Sequence, residues 1–347
     1  MLIQKASKFR LEPTKRQAEQ MAQFAGCARY VWNCTLALQK ESIRATGKRK
    51  SFAELCKILT EWRNDTERPW LKKSDPACFQ IKEETIRLPK IGWVEFRKSK
   101  EIDGTPKNIT VSRRGTHWFV SIQVELEVLQ PVHGSASMIG VDMGICQFAT
   151  LSDGTTLAPL NSFRKLESKL AKAQQELARK EKFSNNWKKQ KAKVTRVHIK
   201  IADSRQDFLH KTSTNLSKNH AVIVLEDLKV ANLSKSAKGT QEAPGRNVRA
   251  KSGLNKSILD QGWHEFRRQL EYKQTWSGGI VILVSPRNTS RKCSACDYIH
   301  EDNRRTQASF LCLRCGHGEN ADVNAAKNIL AAGLAVSACG DIRQIVA

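Results

Sequence analysis

Two Cys-x-x-Cys pairs, Cys293/Cys296 and Cys312/Cys315, constrain this chain more than any other feature. Fifteen residues separate them, enough for the intervening chain to fold back as a ribbon and bring four thiolates to one ion. Four sulfurs close a tetrahedral shell with no open position, so the expected ion is a single structural Zn2+. Two disulfides, or four unrelated thiols, are the competing account of the same spacing. A tetrathiolate zinc centre is anionic, and Arg291, Lys292, Arg304, Arg305 and Arg314 lie around it in sequence. Past the last cysteine, Asp322 opens an alanine-rich helix with Val323, Ala326, Ile329 and Leu330. An acid in a first helical turn ordinarily complements the macrodipole. Any further role for it has to come from the rest of the chain.

The 347 residues are enough for two or three domains with proper cores. Lysine and arginine outnumber aspartate and glutamate by 59 to 34, a net charge of +25 that points to a polyanionic partner. A membrane surface would also attract such a charge, but no apolar run approaches the ~18 residues of a spanning helix. The first residues, MLIQKASKFRLEP, lack the apolar core of a signal peptide, so a cytoplasmic protein is expected. Cys27, Cys34, Cys56, Cys78, Cys146 and Cys339 are scattered among apolar neighbours and read as reduced core residues.

Along the chain, residues 2–11 read as a strand leading to Pro13. Thr14 with Gln17, and Ser51 with Glu54, form capping boxes. Met21, Phe24, Ala28, Val31 and Trp32 follow the first at helical spacing, and Phe52, Leu55, Leu59 and Trp62 follow the second. Lys40, Arg44, Lys48, Arg49 and Lys50 make this helical unit basic, as a solvated face or as a nucleic-acid contact. IGWVEF, NITVS and HWFVSIQVEL then read as antiparallel strands, with Trp118, Val120, Ile122, Val124 and Leu126 on one buried face. Residues 131–137 read as a linker. The segment after it carries Ile139, Val141 and Met143 on one face of a strand and Met138, Gly140 and Asp142 on the other. A hairpin turn at Asp153-Gly154 follows. Phe163, Leu166, Leu170, Ala173 and Leu177, and later Val194, Val197 and Ile201, make a lysine-coated helical hairpin broken at 183–186. AVIVLED and GGIVILVSP read as buried strands. Between them lie a mobile loop over 229–256 and a helix from Ser257 with Leu259, Trp263, Phe266 and Leu270 as its stripe.

Three carboxylates then stand out. Asp142 interrupts an apolar strand, Glu226 ends one, and Asp322 begins the helix after the ribbon. A buried carboxylate costs several kcal/mol unless something positive meets it, so the three either pair separately with arginines or share cations. The order of strand, hairpin, central strand and closing helix is that of an RNase H-like core. In such a core the carboxylates hold two Mg2+ ions roughly 3.5–4 Å apart.

The segments GVDMGI, VIVLEDL, GLNKSILDQGWHEFRRQLEYK and ENADVNAAKNI resemble the TnpB family, RNA-guided RuvC-type nucleases encoded by insertion sequences and related to type V CRISPR effectors. FRLEPTKRQAEQMAQFAGCARYVWN and LPKIGWVEFR extend the likeness over nearly the whole chain. The resemblance implies a multidomain α+β and α/β protein. An OB-like β-barrel wedge domain (1–13 and 86–130) would carry a shortened helical recognition insert (14–85). An RNase H-like RuvC domain (137–290 and 318–347) would carry an inserted four-cysteine zinc ribbon (291–317). It further implies catalytic, Mg2+-binding Asp142, Glu226 and Asp322, zinc on Cys293, Cys296, Cys312 and Cys315, a guide RNA transcribed from the element end, and target DNA cut beside a short flanking motif. Two departures stand out: only QIKEET joins Phe79 to Ile86, where the family carries more helix, and Asp297 replaces a preferred glycine. A monomer is the expected state.

Two other functions fit the same frame. One is a guided DNA-binding repressor without cleavage, against which the intact carboxylate set argues. The other is a transposase joining strands without RNA, for which the sequence offers no helix-turn-helix.

Overall fold

The computed structural model describes residues 1–66 and 79–338 and divides the chain into two units, Met1–Glu127 and Val128–Ala347. Cys78 and Cys339 fall outside the described residues.

In the first unit, β1 (Leu2–Glu12) runs to Pro13, where Thr14 starts α1 (Lys15–Thr46). The capping box is reciprocal: Gln17 N donates to Thr14 Oγ1 at 3.3 Å, and Thr14 N donates to Gln17 Oε1 at 3.0 Å. Gly47, at φ 69°, stops α1, and Ser51 with Glu54 repeats the device for α2 (Phe52–Asn64). The strands β2 (Gln80–Lys82), β3 (Thr85–Leu88), β4 (Gly92–Arg97), β5 (Thr105–Arg114) and β6 (His117–Glu127) join β1 in an antiparallel sheet of order β2-β3-β4-β1-β6-β5. Trp118, Val120, Ile122 and Val124 alternate into one core with Phe9, Leu11, Ile86, Val94 and Phe96.

Two expectations change in this unit. The sheet begins at Gln80 rather than Ile86, because Ile81 pairs opposite the fully buried Ile86 across a tight turn at Glu83-Glu84. The residues of QIKEET thus form the sheet's first hairpin and are not part of the helical insert. The helical stripe is also only partly covered, with Val31, Leu55, Leu59 and Trp62 half-buried. Met21 is the buried residue of α1, while Trp32 and Phe52 are 70% and 84% exposed. Among the described residues, the sheet core reaches the first turns of α1, through Ala18, Met21, Ala22 and Ala25.

In the second unit, β7 (Met138–Met143), β8 (Ala149–Leu151) and β9 (Thr156–Leu157) form an antiparallel meander. The hairpin of α3 (Ser162–Ala178) and α4 (Asn185–Asn219) follows, closed by Leu170, Val197 and Ile201. Then come β10 (Val222–Glu226), α5 (Val230–Leu233), α6 (Val248–Gln261), α7 (Trp263–Ser277) and β11 (Ile280–Val284). Both β10 and β11 are parallel to β7, which gives the order β11-β10-β7-β8-β9. One face of the sheet packs on α4, α6 and α7 through Ile139, Val141, Ile223, Leu225, Leu209, Ile258, Phe266 and Leu270. A small hairpin, β12 (Ser309–Leu311) with β13 (Gly318–Asn320), precedes α8 (Ala321–Ala338), whose Ile329 packs on Val224, Ile282 and Val284 across the other face.

The expected loop over 229–256 is narrower than its composition implied, because α6 starts at Val248. The helix expected from Ser257 is two helices, parted at Gly262 with φ 75°. That left-handed residue resets the helical phase, so Ile258 is buried and Leu259 is 55% exposed. Cys56 and Cys146 are exposed and Cys27 and Cys34 half-buried, so none of these four is a core residue.

Candidate active site and zinc ribbon

Strand register and one close helix contact bring the carboxylates to the same end of the sheet. The parallel pairing of β7 with β10 runs to Val141↔Leu225, which leaves Asp142 and Glu226 as the next residues on adjacent strands. On the other side Asp142 pairs with Thr150 of β8. Across the same sheet face lies α8, held unusually close. A Cβ on Gly140 would sit 2.2 Å from Ala326 O, and one on Gly333 would sit 2.5 Å from Val224 Cγ2. Two residues along a strand advance ~7 Å, and four residues back along a helix retreat ~6 Å. Asp142 and Asp322 therefore stand at the same end of the contact made by Gly140 and Ala326. The N-terminus of α8 is fixed there by Asn320, whose Oδ1 accepts from Asp322 N at 2.9 Å and Val323 N at 3.2 Å.

The electrostatics record this convergence. Burial, then the Glu226 and Asp322 carboxylates, push Asp142 up to about 7, against the pull of Arg304. Burial also raises Glu226, opposed by a hydrogen bond from Thr289. Two residues absent from the expected site thus take part in it. Arg304 Nη2 donates to Asp322 Oδ1 at 2.8 Å and to Gln307 O at 2.7 Å. In sequence Arg304 reads as a counter-charge to zinc, and nothing local ties it to Asp322. Thr289 Oγ1 donates to Glu226 Oε1 at 2.6 Å. No spacing signal marks Thr289, because its partner lies on a distant strand.

The four cysteines come together as one cluster, with all ligand atoms within 4.8 Å of one another. Cys293 Sγ lies 3.7 Å from Cys315 Sγ, and Cys296 Sγ lies 3.6 Å from Cys312 Sγ. A tetrahedron with Zn–S of ~2.3 Å has edges of roughly 3.8 Å, so the donor set fits zinc. Each knuckle turns on a left-handed residue, Asp297 at φ 60° and Gly316 at φ 71°. Aspartate tolerates that conformation better than most side chains, and Asp297 pairs with Lys292 at 2.7 Å, which accommodates the departure from glycine.

Comparison with known proteins bears on the same segments. A family model described as "Probable transposase" (OrfB_IS605) matches residues 121–237, and a "Cas12f1-like, TNB domain" model matches 263–329. The chain is 48% identical over 380 aligned positions to the Escherichia coli K12 protein named "Putative RNA-guided DNA endonuclease InsQ", covering 98% of this chain and 94% of that one. It belongs to the TnpB family. This TnpB-family chain is also 32% identical to a Streptomyces pristinaespiralis protein named "Putative RNA-guided DNA endonuclease", over 98% of its own length and 92% of the relative's. Over 71 residues, 20% of this chain and 17% of the relative, it is 42% identical to a Sulfoacidibacillus thermotolerans protein named "CRISPR-associated endodeoxyribonuclease Cas12f1". The InsQ alignment is longer than the 347-residue chain, so that relative carries residues with no counterpart here. A third model, described as a "Helix-turn-helix domain", matches residues 1–48, where the chain folds as β1 and the single unbroken helix α1.

Among the described residues no helix is long and apolar enough to cross a membrane.

Proposed function

We propose that this TnpB-family protein is an RNA-guided DNA endonuclease of an insertion sequence, acting in the prokaryotic cytoplasm and cutting target DNA beside a short flanking motif. The observation that carries the chemistry is that Asp142, Glu226 and Asp322 share one end of the sheet, where burial, and then the other two carboxylates, push Asp142 up to about 7. Three carboxylates converging without enough positive charge to offset them form a hard oxygen donor set, which suits Mg2+. The sheet order β11-β10-β7-β8-β9, with α8 on one face, supports an RNase H-like RuvC reading of the second unit. The antiparallel first unit supports the wedge reading, with α1 and α2 as its recognition helices.

Bound at the three carboxylates, two magnesium ions would supply charge neutralisation at the entering and leaving oxygens of a phosphodiester. The chain's own part is to hold the carboxylates in place. β7 and β10 fix Asp142 and Glu226 side by side, Asn320 fixes the start of α8, and Arg304 orients Asp322. The guide RNA reads sequence by base pairing, while the protein grips backbone and helical shape with its +25 charge.

Asp142→Ala separates the two jobs. It removes one ligand and leaves the basic surface intact. Cleavage should vanish while guided binding stays within a few-fold of wild type and weakens steeply with salt. Sequence-specific cutting without RNA, or undiminished cutting by the variant, would refute the reading. Guided binding in a wild-type protein that never cuts would favour the repressor.

A further inference from the structure

The turn between β11 and the first cysteine knuckle reaches into the carboxylate site. Thr289, 8% exposed, donates from Oγ1 to Glu226 Oε1 at 2.6 Å. Its backbone is held from α8, the helix that carries Asp322. Asn328 Nδ2 donates to Thr289 O at 2.9 Å and to Lys292 O at 2.7 Å. Asn324 Nδ2 donates to the same Lys292 O at 2.8 Å, and Asn324 Oδ1 accepts from Ser294 N, inside the knuckle, at 3.0 Å. Both asparagines are buried, 0% and 5% exposed, on one face of α8. A buried amide satisfied in this way is costly to displace, so turn, knuckle and helix move together.

A glutamate side chain has three torsions and two equivalent oxygens, and a metal ligand needs one orientation. A cation beside Glu226 would fix it but would compete with a metal ion for its charge. A hydroxyl fixes one oxygen with a single neutral donor and leaves the charge available.

We propose that Thr289 is the positioning residue for Glu226: it holds Oε1, turns Oε2 toward a divalent cation, and is itself set by Asn324 and Asn328 from α8. The inference rests on the nuclease reading above. It also makes the first zinc knuckle part of the device that sets the carboxylate geometry.

The test is a MnCl2 titration of the full chain, followed by melting temperature and by manganese electron paramagnetic resonance. Thr289→Val keeps the shape and loses the donor; Thr289→Ser keeps the donor. Loss of such a partner behind a metal ligand costs about 10- to 100-fold in affinity. The half-saturating Mn2+ concentration should rise by about that factor in the valine variant and stay near wild type in the serine variant, with zinc content unchanged in both. Cleavage by Thr289→Val should recover at high Mn2+, because ion affinity and not the cutting step has been lost. Should the valine variant misfold, Thr289→Ala, which adds no bulk, answers the same question. Wild-type Mn2+ affinity in the hydroxyl-free variant overturns the proposal while leaving the nuclease reading intact. If wild type takes up no Mn2+ that Asp142→Asn abolishes, the nuclease reading fails, and the proposal fails with it.

Discussion

Replacing Asp142 with asparagine should make the metal-free protein more stable, and the pH dependence of that gain is specific to the arrangement seen here. The carboxyl is pushed from its ordinary 3.8 to about 7 by burial and by the Glu226 and Asp322 charges. Ionising it in the folded protein is therefore harder than in the unfolded chain. Its neutral form is compatible with the fold, and the associated stability is lost as pH climbs from the unfolded value through the folded one. Three pKa units correspond to about 4 kcal/mol, which is the ceiling on what the native chain forgoes above pH 7. Asparagine keeps the shape without the charge. For a unit of this size each kcal/mol is worth roughly 2–4 °C, so a gain of half the ceiling raises the melting temperature by about 4–8 °C at pH 8.5. At pH 4 the carboxyl is neutral in the fold and roughly two-fifths neutral in the unfolded chain, so most of the difference is gone and the two proteins should melt within about 1–2 °C of each other. The assay is a thermal melt across pH 4–9 in magnesium-free buffer, with no chelator, so that the ribbon stays loaded. Millimolar Mg2+ should then raise the wild-type melting temperature at pH 8.5 and barely move the variant. A variant that melts at or below wild type at pH 8.5, or a gain independent of pH, would mean that Asp142 is neither buried nor set beside the other two carboxylates.

Three further outcomes test the frame around the site. Cys312→Ser should lower zinc content and speed amide exchange in the first turn of α8, since structural zinc supplies roughly 10–16 kcal/mol of apparent binding energy in small peptides; full zinc occupancy with unchanged cleavage would count against it. Gly140→Ala places a Cβ where Ala326 O lies 2.2 Å away, and overpacking of this kind costs about 1–3 kcal/mol. It should lower the melting temperature and, by displacing α8, slow cleavage, while unchanged values of both would show that the helix yields freely. Trypsin should cut first between α5 and α6, within residues 234–247, and more slowly once guide and target are bound; equal rates in both states would exclude a role for that stretch in closing over DNA.

What the sequence discloses here follows the range over which each interaction acts. The capping boxes at Thr14 and Ser51, the alternation in β6 and the cysteine knuckles are local patterns, and each is where its spacing puts it. The α6–α7 stripe fails at one residue. Gly262 takes φ 75° and shifts the phase, so that counting by three and four across it assigns Leu259 to a place that Ile258 fills. The exposed Trp32 and Phe52 fail for a different reason, since helical periodicity marks an apolar face without saying whether anything covers it. The carboxylates are legible because each breaks a local rule, an acid in or at the end of an apolar strand or an acid opening an alanine-rich helix. Thr289 and Arg304 break none. A threonine in a turn and an arginine in a basic ribbon carry no signal until α8 packs against Gly140, and that approach depends on the absence of a side chain. The carboxylates thus announce themselves by being costly to bury. The residues that hold them in place are ordinary, and only the fold singles them out.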